Sequence, residues 1–326
     1  MSTRALPEAI QAPPSRRSDG ISGFLFALPH LLLFATFVLV PVLYGLYISL
    51  HRWHVLAKEH PLIGLGNYGA ALSDDIFWIA LRNTIYFVVL IVPLGNLVSL
   101  LLALGLASVQ RLGTFYKIVY YLPVVISIAV VAVLWRWMYN TEIGLINLYL
   151  GTVVGWLRSI GLPLAPFEPL PWLSNPSWVM PSIALLTVWW TAGGNMVLYL
   201  AGLSNISDDY YEAASIDGAN AWQRFWAITW PLLRPTTLFC LVFSVLGAFQ
   251  VFGQSYVLFT SIQGGPQSGP ARSGLTLALY MYLQGFRQYE IGYGAAIAYL
   301  LFAIVLVLTI LQFRLLSNRD DATAKA

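Results

Sequence analysis

Six stretches of this chain are long and apolar enough to cross a lipid bilayer, and that pattern limits what it can fold into. A helix crossing the ~30 Å hydrocarbon layer needs ~20 apolar residues, because each residue rises ~1.5 Å. Residues 24–48, 83–107, 117–139, 179–203, 236–260 and 292–313 meet this length. Composition agrees: 58% of the 326 residues are hydrophobic and 10% charged, against ~45–50% and ~25% in soluble chains. The expected class is an all-α polytopic membrane protein with six transmembrane helices. A net charge of +3 gives no basic surface for nucleic acid. The single Cys240 rules out an internal disulfide and reads as a small buried hydrophobe.

Residues 1–22 are polar, carry three prolines and read as a disordered tail. Residues 23–316 form the expected membrane domain, with a C-terminal tail over 317–326. The first apolar window is too long for a signal peptide and no small-residue cleavage site follows it, so it is expected to stay attached. Residues 143–157 are apolar but short and interrupted by Gly144, Gly151 and Gly155. The positive-inside bias separates the two topologies. With six spans and both termini cytoplasmic, Arg4, Arg16, Arg17, Arg111, Lys117, Arg224, Arg234, Arg314, Arg319 and Lys325 lie inside, and the other seven of the 17 basic residues lie outside. A seventh span at 143–157 erases this excess, so the segment is expected to lie on the outer surface.

The spans are poor in charge. No Asp or Glu falls in any of the six windows. Ion-coupled transporters place carboxylates or other charges at mid-membrane, where the coupling ion binds. Nor does the chain contain a GxxxxGK[ST] phosphate loop, a GxGxxG turn or an HExxH pair. The chain is therefore expected to be non-catalytic and driven from outside itself. The outer-loop histidines His51, His54 and His60 lack neighbouring metal ligands and read as a solvated loop, and Asp74-Asp75 reads as a helix start. The spans do hold uncharged polar groups, concentrated at 187–195 and 249–256 among Trp190, Phe249, Phe252 and Tyr256. Amides and hydroxyls exchange hydrogen bonds with a neutral polyol without a buried charge, and aromatic rings stack on a sugar face. The competing reading is that such groups join helices to one another.

The segment 204–235 between the fourth and fifth windows has a shape of its own. Ser207 or Asp208 can cap a helix whose first turns carry Asp209 and Glu212, Gly218 can supply a left-handed stop, and a second helix runs on to Pro231. Such an elbow suits docking into a groove on another protein. Glu212-Ala213-Ala214, Asp217-Gly218-Ala219, Phe225, Ile228 and Pro231 resemble the EAA loop of ABC-importer permeases; Trp230 departs from the smaller aliphatic residue usual there. Similarity continues through Gly66-Asn67-Tyr68, Leu81-Arg82-Asn83-Thr84, Leu122-Pro123, Trp135-Arg136-Trp137 and Gly144–Asn147. Trp172–Pro176, Tyr199–Leu203 and Gly264-Gly265-Pro266 resemble the carbohydrate-uptake branch, and within it the larger subunit of maltose-type permeases.

The resemblance implies a type I importer permease fold and half of a translocation pathway. The implied partners are a second permease subunit, two cytoplasmic ATPase subunits, an extracytoplasmic solute-binding protein, membrane lipid and a neutral sugar. ATP and Mg would be bound by the ATPase subunits, with no cofactor on this chain. Tyr211, Glu212, Ala213, Ala214, Asp217, Gly218 and Ala219 would couple to the ATPase. Matched positions place Thr187, Trp190 and Thr191 at the substrate pathway, and Asn195, Gln250 and Gln254 join them on polarity and depth. The alternative function is a stand-alone uniporter or channel for neutral polyols.

Overall fold

In the computed structural model, residues 17–109, 113–260 and 268–323 are described. Fourteen α-helices form in chain order: α1 (Arg17–Phe34), α2 (Val40–Ser49), α3 (Gly66–Leu72), α4 (Asp75–Ala107), α5 (Gly113–Val125), α6 (Ile128–Met138) and α7 (Leu145–Ser159). They continue as α8 (Pro176–Ser204), α9 (Asp208–Ile216), α10 (Ala221–Arg224), α11 (Trp230–Phe249), α12 (Gly253–Phe259), α13 (Leu277–Tyr282) and α14 (Ile291–Thr323). Among the described residues there are no strands, only two isolated bridges, His51 with Leu62 and His54 with Glu290. The chain divides after Ile48 into two units. The first holds α1 and most of α2, joined by a π turn into one apolar span over Gly23–Ser49. Residues 17–22, expected in the disordered tail, are helical, and α14 runs on through 317–323 of the expected C-terminal tail.

In the second unit four further spans pass the length and apolarity test, and the bent pair α5–α6 brings the total to six. Helix α7, fifteen residues long, is not among them. Helix α4 begins at Asp75, eight residues before its apolar window, because Asp74 caps it by accepting from the Ile76 N–H at 2.8 Å. That fits the helix-start reading of Asp74-Asp75. The core joins α4, α8, α11 and α14 through Phe87, Ile183, Leu186, Phe249 and Ile297.

Two expectations about the spans need correction. The window 117–139 is not one straight helix: α5 and α6 meet at a 96° bend. Pro123 cannot donate to the helical ladder, and Ser127 takes an extended conformation (ψ 142°) before α6 restarts. The fifth span starts at Ala221, not residue 236. Pro231 and Pro235 do not stop it because a π turn at Phe225–Thr229 resets the hydrogen bonding ahead of them. The same span breaks at residues 250–252 before α12. Between the fifth and sixth windows, moreover, Leu275, Leu277, Ala278, Leu279 and Tyr280 are buried. Asn83 donates from Nδ2 to the carbonyls of Arg272 (2.9 Å) and Leu275 (3.0 Å), and Thr84 accepts from the Leu277 N–H at 2.9 Å.

Asp74 also fastens this buried segment. Its Oδ2 accepts from the Tyr280 hydroxyl and, at 2.8 Å, from Tyr293. Burial raises the Asp74 pKa, but the bonds from Tyr280, the Ile76 N–H and Tyr293, with Arg272 nearby, outweigh it and hold the carboxyl below its ordinary 3.8. A lowered pKa stabilises the fold above the unfolded-state value, and that stability is lost as pH falls through the folded-state value. Asp74→Asn should therefore lose about 1 kcal/mol at neutral pH, discounted for partial exposure. In detergent, the difference in thermal midpoint between wild type and variant should close as pH drops below 4.

The histidine loop is likewise packed. His51 is buried, Asn67 donates to the Ser49 and His51 carbonyls at 2.8 Å each, and Trp53 stacks on His60 at 4.1 Å. No group of three or more His, Cys, Asp or Glu is placed to hold a metal among the described residues.

Candidate functional site: a mid-membrane cavity and an elbow

Thr187, Thr191 and Asn195 recur every fourth residue on α8 and so lie on one face of it. Together with Trp190 and, from α12, Gln254, they line a cavity of about 250 Å³ closed by residues of α4 and α11. Five of the six expected pathway residues thus meet. Gln250 does not: the break at 250–252 turns it to a neighbouring groove. No charged side chain lines the cavity.

Several of these groups are already engaged. Thr187 donates to the Ile183 carbonyl (2.7 Å) and Thr191 to that of Thr187 (2.8 Å), within their own helix. Asn195 donates from Nδ2 to Ser244 Oγ at 3.2 Å, as does Asn96 at 3.1 Å, while the Tyr199 hydroxyl donates to Asn96 Oδ1 at 3.2 Å. This chain of polar groups ties α4, α8 and α11 at the cavity wall. Ser244 had no part in the sequence reading; a lone serine in an apolar run was its only signal.

Both broken spans have their freed carbonyls answered at the cavity. The Trp190 indole donates to the Ile126 carbonyl at 3.0 Å, at the α5–α6 bend. The Thr276 hydroxyl donates to the Val251 carbonyl at 2.7 Å, at the other break. Backbone irregularity at membrane depth persists only where such partners exist. Gly253 and Ile128 bring the breaks together, since a Cβ on Gly253 would lie 2.9 Å from Ile128 Cγ2. Trp190 is therefore a brace as well as a wall. Trp190→Phe, which keeps a ring and removes the N–H, should cost roughly 1–3 kcal/mol by leaving that carbonyl unpaired. A lowered thermal midpoint in detergent with unchanged helical content would report it.

At one end of the bundle, α9 and α10 form the elbow. Ser207 caps α9 by accepting from the Asp209 N–H (3.3 Å). Gly218 has φ +79°, and Ala219 N–H donates to Ala214 O (2.9 Å) while Gly218 N–H donates to Ser215 O (3.2 Å). That pair of bonds is the Schellman stop, which needs a left-handed residue. Asn220 and Gln223 then form a capping box for α10. The hydroxyls of Tyr211 and Thr229 share a hydrogen bond (3.0 Å) that braces α9 inward, and Arg224 donates from Nη1 to Ser215 Oγ (3.0 Å) across the elbow from α10 to α9. Tyr211 thus faces the bundle, whereas Glu212, Ala213, Asp217 and Gly218 are exposed. Ala214 and Ala219 are half-buried, and Ile216 is 88% exposed. Trp230, the departure from the usual pattern, packs near Phe225 and Trp226. Gly264-Gly265-Pro266 lies outside the described residues.

The described residues thus hold six candidate spans, two of them broken beside an uncharged cavity, and a braced elbow at one end of the bundle. The chain belongs to the family of binding-protein-dependent transport system inner membrane components, matched over residues 95–319. It is 35% identical over 300 residues to the lactose transport system permease protein of Rhizobium radiobacter, covering 91% of this chain and 95% of that one. It is 34% identical to the sn-glycerol-3-phosphate transport system permease protein of Rhizobium meliloti, covering 92% and 96%. A bacterial ABC transporter importing the acidic polysaccharide alginate shares the fold, with TM-score 0.74, 24% identity, and 93% and 99% of the two chains covered.

Proposed function

We propose that this chain is the permease subunit of an ATP-driven importer of neutral sugars, with both termini and the elbow on the cytoplasmic side. A second permease completes the pathway, two ATPase subunits bind ATP and Mg, and an extracytoplasmic binding protein delivers the sugar. The observation that carries the reading is the elbow: a capped helix, a left-handed Gly218 and a second helix continuous with a span, with Ile216 exposed at the corner. Glu212, Ala213, Asp217 and Gly218 would meet the ATPase, while Tyr211 passes its movement to Thr229 and the fifth span. Ala214 and Ala219 close the turn. Rocking of the spans would then expose the pathway to each side in turn.

The neutral cargo is argued from the cavity. Relatives of almost equal identity carry lactose and sn-glycerol-3-phosphate in their names, so identity alone selects neither. A phosphate or carboxylate cargo is ordinarily met by Arg or Lys, and the cavity offers Thr, Asn, Gln and Trp instead. The reading is tested by co-purifying the chain with its ATPase subunits and adding binding protein: sugar-loaded binding protein should stimulate ATP hydrolysis. A purified chain that equilibrates polyols across vesicles alone would favour the uniporter.

A further inference from the structure

A groove of about 610 Å³ runs along the second half of α4, from Pro93 to Leu104. Its other wall is a row of tryptophans from the elbow and the fifth span. Trp222, Trp226 and Trp230 stand edge to face, with ring centroids 5.6 Å and then 5.9 Å apart. The groove is open, since Leu97, Leu101, Trp222 and Trp226 are exposed. Its amide and hydroxyl groups are engaged within the chain: Asn96 with Ser244 and Tyr199, and Thr237 with the Leu233 carbonyl at 3.0 Å. At the elbow end it meets a second recess of about 680 Å³, with Leu104 and Phe225 lining both. Here Lys117 and Arg224 face the single carboxylate of Asp208. Arg224 gives one N–H to Ser215, and a guanidinium has others to offer.

Resting on the reading that puts the elbow on the cytoplasmic side, we propose that the two recesses together hold one anionic phospholipid of the inner leaflet. Its phosphate sits at Lys117 and Arg224, and one acyl chain lies along α4 against the tryptophans. Three observations carry this. The first is depth: the helix rises about 16 Å from Pro93 to Leu104 at ~1.5 Å per residue, which matches the ~15 Å of hydrocarbon in one leaflet. The second is order along the chain, for the dry groove lies towards the bilayer centre and the charged recess at the bundle end. Tryptophans gather where these two zones meet in a membrane. The third is charge: two basic side chains against one carboxylate suit a headgroup that is itself negative. The same site gives Trp230 a role, since a smaller aliphatic residue there would leave the groove without part of its wall. Tyr211 and Thr229 line the charged recess as well, so the headgroup packs against the brace of the elbow.

The test titrates the complete transporter in detergent with dioleoylphosphatidylglycerol or dioleoylphosphatidylcholine. Native mass spectrometry then counts the lipids that stay with this subunit when it is ejected from the complex. Wild type should keep one phosphatidylglycerol and bind it about twenty-fivefold more tightly than phosphatidylcholine, from two basic groups at about fivefold each. The Lys117→Gln, Arg224→Gln double variant should lose that preference, and Lys117→Arg, Arg224→Lys should keep most of it. Trp222→Ala and Trp226→Ala should each weaken both lipids about fivefold. Equal binding of the two lipids by wild type, or an unchanged preference in the glutamine double variant, overturns the site. So does displacement of the lipid by inorganic phosphate, which would make it a free-anion site. Loss of the second permease from the tryptophan variants also overturns it, by making the groove an intersubunit contact. A wild type that keeps its phosphatidylglycerol but imports no neutral sugar with an active ATPase overturns the sugar reading and leaves the lipid site standing.

Discussion

Gly218→Pro and Glu212→Lys should each lower ATP-driven uptake about a hundredfold while the chain remains in the membrane. Gly218 has φ +79°, and proline is locked near −65°, so the Schellman stop cannot form and α9 loses its angle to α10. Nothing crowds the position: a Cβ on Gly218 would find no atom within 4 Å. The effect is therefore one of backbone conformation at the corner, not of core packing. Glu212 is exposed on α9, so lysine there leaves the fold intact and reverses charge on the face that, under the proposed function, meets the ATPase. Loss of coupling free energy at the upper end of its usual range lowers uptake about a hundredfold. Uptake in vesicles set against membrane content by immunoblot checks both. Near wild-type uptake in the two variants would remove the elbow from the mechanism.

The second large effect belongs to adjacent glycines on α8. A Cβ on Gly193 would lie 2.0 Å from the Tyr120 carbonyl oxygen and 2.7 Å from its carbon, because α8 packs backbone to backbone on α5 there. Close approach of small residues is how membrane helices gain packing energy. Gly193→Val should thus cost 3 kcal/mol or more, about the upper end for overpacking, and prevent recovery of folded protein. At Gly194 the nearest atoms are Val124 methyls at 3.9 and 4.0 Å, so Gly194→Ala should change the thermal midpoint little. Detergent-solubilised yield and melting of the pair separate a local clash from general intolerance of α8.

How much of this was legible depends on which physical signal carried it. Apolar length located all six spans, but hydropathy carries no direction, so the 96° bend inside 117–139 was invisible apart from Pro123 and Ser127. Pro231 read as the end of the second helix because the π turn ahead of it has no sequence signature. The buried segment at Leu275–Tyr282 was missed because it is too short an apolar run to register as a span. Its anchors, Asn83, Thr84 and Thr276, act through backbone carbonyls and amides far away in sequence. Within the site, the four-residue spacing on α8 was readable as one face, whereas the separation of Gln250 from Gln254 follows from the break between them. The elbow was the most legible element. Its cap, its acidic first turn and its left-handed glycine are all local, and local rules decide them.

The central claim is that a separate motor works this elbow, since the six apolar windows contain no Asp or Glu to harness an ion gradient. The most direct measurement is accumulation of a labelled neutral sugar in proteoliposomes holding this chain and the second permease, with and without the ATPase subunits, binding protein and ATP. Concentration of the sugar above the external level only when all components and ATP are present is the predicted result. Uphill accumulation by this chain alone, driven by a proton or sodium gradient, would contradict it.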